Sequence, residues 1–167
     1  MATRFESTGC TYEIINADKK EIALVGTSGL SGELEIKSRV FHMFKFYTVV
    51  SIKGYTGSYS AGYYPGGDRR RKYVESTSIE GRGVVCDGIT KVVVPDTVTE
   101  IGDYAFANSG LTGFTLQNKL VGNYMFANND SLTNNVVITN NITSIGYGVF
   151  ADCNALHDLS IPFIGSV

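Results

Sequence analysis

One octet recurs three times in the C-terminal half of this chain. It reads Ile101-Gly102-Asp103-Tyr104-Ala105-Phe106-Ala107-Asn108, then Val121-Gly122-Asn123-Tyr124-Met125-Phe126-Ala127-Asn128, then Ile145-Gly146-Tyr147-Gly148-Val149-Phe150-Ala151-Asp152. The shared frame is an aliphatic residue, Gly, two variable residues, a small or apolar residue, Phe, Ala, and Asn or Asp. Glycines and phenylalanines keep one spacing, 20 residues (122 − 102, 126 − 106) and then 24 (146 − 122, 150 − 126). A unit this short cannot bury its own apolar face, so units of this kind must stack on one another.

A second frame lies between the octets. It is Ile89-Thr90-Lys91-Val92-Val93-Val94, Leu111-Thr112-Gly113-Phe114-Thr115-Leu116, Leu132 through Ile138, and Leu156-His157-Asp158-Leu159-Ser160-Ile161. The pattern is L-x-x-h-x-h, with one extra residue in the Leu132 unit at Asn134-Asn135. Its last two apolar positions are two apart, so both point to one face of a short strand and the residue between them points away. The octet is too short for an isolated helix. It suits one helical or 3₁₀ turn that drives Phe inward, with Asn108, Asn128 and Asp152 bonding to nearby backbone to end the turn. Phe106, Phe126 and Phe150 are then expected in one stacked column.

These residues carry a family resemblance. Ile101-Gly102-x-x-Ala105-Phe106 and Ile145-Gly146-x-x-Val149-Phe150-Ala151-Asp152-Cys153-Asn154-Ala155-Leu156, with Val94-Pro95 and Ile161-Pro162 at strand ends, resemble the BspA-like (treponemal-type) leucine-rich repeats. The period lies in the range of leucine-rich repeats. The resemblance covers about residues 89–162. The unit from Gly102 to Gly122 is short and lacks the Pro, and the motif Cys occurs only at Cys153, with Ser109 and Asn129 in its place elsewhere.

Residues 1–53 read as strands. Tyr12–Ile15 and Glu21–Val25 flank a polar link, Gly26–Gly32 is a loop, Glu33–Lys37 alternates, and Val40–Ile52 is rich in aromatic and β-branched residues. The segment also resembles the one that often precedes BspA-like arrays, with Lys37 in place of a Pro and Lys53 in place of a Gly. Residues 54–88 fit no repeat. Gly and Tyr dominate Gly54 to Gly67, and Asp68-Arg69-Arg70-Arg71-Lys72-Tyr73 follows.

The expected fold is mostly β with short helical or 3₁₀ turns. A leucine-rich-repeat solenoid spans 89–167, preceded by a β-rich N-terminal cap with one degenerate repeat at 1–53 and a Gly/Tyr/Arg-rich insertion loop at 54–88.

Hydrophobic residues make up 43% and charged residues 18%, enough apolar side chain for a core and too little charge for disorder. A net charge of −2 argues against a dedicated nucleic-acid binder. No apolar run is long enough for a membrane helix, so membrane insertion is not expected, and the first ten residues hold no signal-peptide core. Cys10, Cys86 and Cys153 are too few and too scattered for a disulfide framework, although a Cys10–Cys86 bridge is open. His42 and His157 have no partner at metal-ligand spacing, so no metal or cofactor is expected. No nucleophile or phosphate-loop motif occurs, and the chain is read as non-enzymatic; His42, Asp68 and Glu75 are the only catalytic candidates near the insertion. Asn129-Asp130-Ser131 and Asn141-Ile142-Thr143 match the glycosylation triplet, which an Asn-rich chain yields by chance.

A ligand has two candidate places. Strand residues pointing away from the core are Lys91, Val93, Gly113, Thr115, Asp158 and Ser160, plus Asn135 and Val137 if the extra residue of the Leu132 unit is a bulge. In the insertion, Tyr63, Tyr64, Arg69, Arg70 and Arg71 combine the residue types enriched at binding hot spots. The resemblance implies a recognition module displayed outside the cell or on its surface, binding a host-matrix protein or another cell-surface protein. The other expectation is a structural, self-assembling subunit, with Ile161 to Val167 at an open coil end.

Overall fold

The computed structural model describes residues 3–54, 57–63, 72–79, 84, 88–116, 120–133, 135–139 and 142–161, with backbone alone at 57–63, 72–79, 116, 120 and 135. The strands are β1 (Arg4–Ser7), β2 (Cys10–Asn16), β3 (Glu21–Thr27), β4 (Gly32–Glu35), β5 (Arg39–His42), β6 (Lys45–Ile52), β7 (Gly57–Tyr63), β8 (Lys72–Ile79), β9 (Ile89–Val93), β10 (Glu100–Ile101), β11 (Gly113–Leu116), β12 (Leu120–Val121), β13 (Asn135–Ile138) and β14 (Ser144–Ile145). The described chain is mostly β and contains no helix.

Two sheets run through the repeats. One is parallel throughout, in the order β13-β11-β9-β4, and a single bridge from Val137 to Ser160 carries it one coil further. The other has the order β1-β2-β3-β6-β10-β12-β14, with β5 also paired to β6. From β3 onward along this path every pairing is parallel, while β1-β2-β3 extends it as an antiparallel meander. The N-terminal half therefore enters both repeat sheets through β4 and β6. The insertion is not simply a loop, because β7 and β8 pair antiparallel across it.

The two frames of the repeat supply the core. Val92, Phe114 and Val136 point inward from one sheet, Ile52, Ile101 and Val121 from the other, and all are at most 5% exposed. Phe106 and Phe126 are wholly buried and stack at 5.7 Å; Phe126 stacks on Phe150 at 5.5 Å. Phe114 meets both Phe106 and Phe126, at 5.1 and 4.7 Å. The expected column is present.

The octets differ from expectation in conformation. Each holds left-handed residues that no helix accepts: Tyr104 and Asn108, Tyr124 and Asn128, Gly148 and Asp152. Tight turns close instead, with Ala105 N donating to Gly102 O, Ala107 N to Tyr104 O and Ala127 N to Tyr124 O. The remaining N–H groups face the next coil. Tyr104, Phe106 and Asn108 donate to Asn123, Met125 and Ala127, and Tyr124, Phe126 and Asn128 donate to Tyr147, Val149 and Ala151. Helical bonds would consume these donors, so stacking selects the irregular turn. Val84 N donates to Ala105 O at 2.8 Å, the relation that Phe106 N has to Met125 O. Val84 thus heads the Phe column, and it is buried.

Glycine is required where coils touch backbone to backbone. A Cβ on Gly102 would lie 2.3 Å from Gly54 N, on Gly122 2.4 Å from Gly102 C, and on Gly146 2.6 Å from Asn123 N. Ile52 pairs with Ile101, so Lys53 holds the place of Gly102 one coil earlier. Its side chain reaches out to Glu13 at 2.7 Å, and Glu13 also pairs with Arg4 at 2.9 Å. This pair ties β2 to the end of β6, and the Lys53 and Arg4 bonds hold the Glu13 carboxyl below its ordinary range.

The column Ser109, Asn129 and Cys153 caps the turns. Asn129 is wholly buried; its Nδ2 donates to Phe106 O at 2.8 Å and Phe126 O at 2.7 Å, and its Oδ1 accepts from Ser109 N and Oγ. Cys153 Sγ donates to Phe126 O at 3.1 Å. The absent cysteines are therefore replaced by residues that serve the same carbonyls.

Phe126→Ala should lower stability by about 3–5 kcal/mol in chemical denaturation, as for a buried aromatic. Asn129→Ala should cost about 1–3 kcal/mol, because buried carbonyls lose their donor. Glu13→Gln should cost on the order of 1 kcal/mol at neutral pH, given its half-exposed partners. Since the folded carboxyl titrates below the unfolded one, that difference should close as pH falls through the acid range, which paired denaturation curves would read.

Candidate functional site

The outer face of the all-parallel sheet is the surface that the repeats build. Its inward residues Val92, Phe114 and Val136 alternate with outward ones, as the strand period requires. The register aligns one row of Glu33, Lys91, Gly113 and Asn135. A second row holds Glu35 opposite Val93, then Thr115 opposite Val137 and Val137 opposite Ser160. Val93 is 38% and Val137 50% exposed, so this row presents aliphatic surface between polar ends.

Charges sit at the N-terminal side of this face. Lys91 Nζ lies 3.1 Å from Glu33, and Lys37 Nζ 2.7 Å from Glu35. A threonine ladder borders it. Thr90 Oγ1 donates to Gly32 O at 3.4 Å, Thr112 N and Oγ1 donate to Thr90 O at 2.9 and 3.2 Å, and Thr133 does the same to Thr112 O, both at 3.4 Å. These three hydroxyls complete the coil-to-coil bonding, and all three residues are exposed.

Of the residues singled out by sequence, Lys91, Val93, Thr115 and Ser160 come together on this face; Asp158 is exposed two residues before Ser160. Gly113, expected there too, is buried. Tyr63 ends β7 opposite Lys72, and its side chain lies outside the described residues, as do Tyr64, Arg69, Arg70 and Arg71. Val137 was reached only conditionally, through the extra residue at Asn134-Asn135; the register places it in the second row, between Thr115 and Ser160. Glu33 and Glu35 were missed as part of the face because β4 precedes the repeats in sequence. Their alternation with Leu34 and Ile36 was the available signal.

Among the described residues no group of three His, Cys, Asp or Glu side chains is placed to hold a metal. His42 stacks on the Phe5 ring at 3.9 Å and braces a hairpin. Glu75 contributes backbone to β8 opposite Ser60, and Asp68 lies outside the described residues. Burial pushes the Cys153 thiol above its ordinary value, the reverse of what an activated nucleophile needs. Cys10 is buried beside Tyr12, whose hydroxyl burial pushes upward; Cys86, and with it any Cys10–Cys86 bridge, lies outside the described residues. No helix of the described residues is long and apolar enough to cross a membrane.

Because these side chains project outward from a sheet held by its other side, Lys91→Ala and Thr115→Ser should each change stability by less than about 1 kcal/mol. Equilibrium denaturation of the two variants checks this.

The chain has informative likenesses. Residues 84–165 match the BspA type leucine rich repeat region, in six copies. A leucine rich cell surface protein from Faecalibacterium prausnitzii A2-165 is similar over 97% of this chain and 43% of its own, at 23% identity and a TM-score of 0.58. The pneumococcal vaccine antigen PcpA is similar over 86% of this chain and 40% of its own (13% identity, TM-score 0.48). A leucine-rich repeat protein from Bacteroides ovatus ATCC 8483 is similar over 91% and 45% (17% identity, TM-score 0.40). This chain spans less than half the length of each of the three. No curated protein matches it. The coils of residues 84–165 are BspA-type leucine-rich repeats.

Proposed function

We infer that this chain is a non-catalytic protein-binding module of a cell-surface protein, built as a leucine-rich-repeat solenoid whose first coil is covered by β1–β3 as a cap. The observation that carries this is the aliphatic row Val93, Val137 and its polar neighbours Thr115 and Ser160, exposed on a sheet that needs none of them for its core. An exposed strip along a sheet, with charges at one side, suits a protein surface better than a small ligand, which takes an enclosed pocket. The likeness to the Faecalibacterium cell surface protein supports the location. The partner is a host-matrix protein or a protein of another cell, and the Tyr63, Tyr64 and Arg69–Arg71 segment adds a second contact.

The test is a panel of immobilised matrix proteins, fibronectin among them, and whole cells, with an unrelated protein as control. Saturable binding should appear and should weaken tenfold or more in Thr115→Arg and Val137→Glu, which place charge in the strip while the melting midpoint holds. The absence of binding above the control, or equal binding by both variants, speaks against it.

A further inference from the structure

Four of the nine large apolar residues that stand exposed among the described residues fall within six positions: Phe41, Met43, Phe44 and Phe46. They belong to the β5–β6 hairpin, at the opposite end of the sequence from the repeats. Its strands pair Arg39 with Thr48, Val40 with Tyr47, Phe41 with Phe46 and His42 with Lys45, which leaves a two-residue turn at Met43-Phe44.

That turn is unusual. Both central residues are left-handed, at φ 45° and 61°, the type I′ geometry that favours Asn-Gly. The β1–β2 hairpin has the same geometry at Thr8-Gly9 and uses a glycine. Here two large side chains take the strained conformation, and both are displayed rather than packed: Met43 is 74% and Phe44 95% exposed. Such a turn costs backbone energy and hydrophobic burial together, without a gain inside the fold.

The hairpin is also held rigid and sided. Val40 and Tyr47 turn inward and are buried, and His42 lies flat on Phe5. Phe41 and Phe46 turn outward and pack on each other at 5.0 Å, with the Arg39 guanidinium over Phe46 at 4.8 Å. From Ile36 to Tyr47 the chain has Lys37, Arg39 and Lys45 and no carboxylate, in a protein whose net charge is −2. Lys37 is paired with Glu35; among the described residues neither Arg39 nor Lys45 has an ion pair. The nearest acid on the neighbouring strand is Glu21, opposite Thr48.

We propose that the Met43-Phe44 tip is a membrane-contacting wedge that inserts its two apolar side chains into the interface of an anionic lipid leaflet. A convex tip fits a soft, flat phase without any complementary groove. Phe41 and Phe46 lie at headgroup depth, and Arg39 and Lys45 meet the lipid phosphates. The contact is peripheral and spans nothing. It rests on a different part of the molecule from the protein-binding strip.

The chain contains no tryptophan, so Phe44→Trp introduces a single reporter at the tip. With vesicles of phosphatidylcholine and phosphatidylglycerol, its emission should shift to the blue, be quenched by brominated lipid, and lose amplitude as salt rises. Vesicle co-sedimentation of the otherwise unaltered chain should fall about tenfold or more in M43N/F44G. That variant carries the residues the turn geometry favours, so it folds at least as well as the parent, and circular dichroism and melting confirm it. No blue shift with any vesicle overturns the proposal, as does undiminished co-sedimentation of M43N/F44G. Equal binding to phosphatidylcholine alone overturns the anionic commitment. A blue shift without lipid that grows with protein concentration assigns the tip to contact between copies instead.

Discussion

Backbone hydrogen bonding from coil to coil is the constraint on which the rest of this structure depends. Along the octet turns each repeat donates N–H groups to the next coil, whereas beside the two sheets Gly102, Gly122, Gly146, Thr112 and Thr133 donate theirs back to the coil before. The turn-side bonds are the demanding ones. They exist only because Tyr104, Asn108, Tyr124, Asn128, Gly148 and Asp152 take left-handed conformations that break the helical alternative. Close approach at Gly102, Gly122 and Gly146 then brings the coils within range. Hydrophobic stacking of Phe106, Phe126 and Phe150 fills the space so enclosed.

Capping in this architecture is distributed rather than repeated. Where the family pattern has cysteine, three different side chains serve the turn carbonyls. Asn129 does the most, because an amide both donates to Phe106 O and Phe126 O and accepts from Ser109. Asp103 and Asn123 play a matching part on the outside, with Asp103 accepting from Asn123 N at 2.8 Å and Asn123 from Tyr147 N at 3.1 Å. A polar residue at either place is tolerated as long as its geometry reaches the neighbouring coil. Repeat degeneracy of this kind leaves the core intact.

Freedom to vary lies on the two surfaces that stacking does not use. The outer face of the parallel sheet carries Lys91, Val93, Thr115 and Val137, whose backbone is fixed by inward neighbours. The β5–β6 hairpin is fixed by Val40, Tyr47 and the Phe5–His42 stack. Each surface is thus rigid at its base and open in its chemistry. One presents an aliphatic strip, the other a pair of apolar side chains flanked by cations.

By itself the sequence determined the repeat, its period, the inward residues of each strand and the Phe column, because all of these follow from apolar positions recurring at fixed separation. It also gave most strands of the first half and the residues of the sheet face that lie within the repeats. Only the tertiary structure decided the octet conformation: Asn108, Asn128 and Asp152 are residue types that tolerate a left-handed backbone, but left-handed Tyr104 and Tyr124 leave no local signature and follow from bonding to the next coil. The same holds for Val84 at the head of the Phe column, which lacks the aromatic mark, and for Lys53, whose place tolerates a side chain that reaches out to Glu13. Glu33 and Glu35 joined the face through pairing across more than 50 residues, beyond any local pattern. The Met43-Phe44 turn was hidden for a related reason: it contains no Gly or Asn, and only strand pairing around it forces the chain to reverse there.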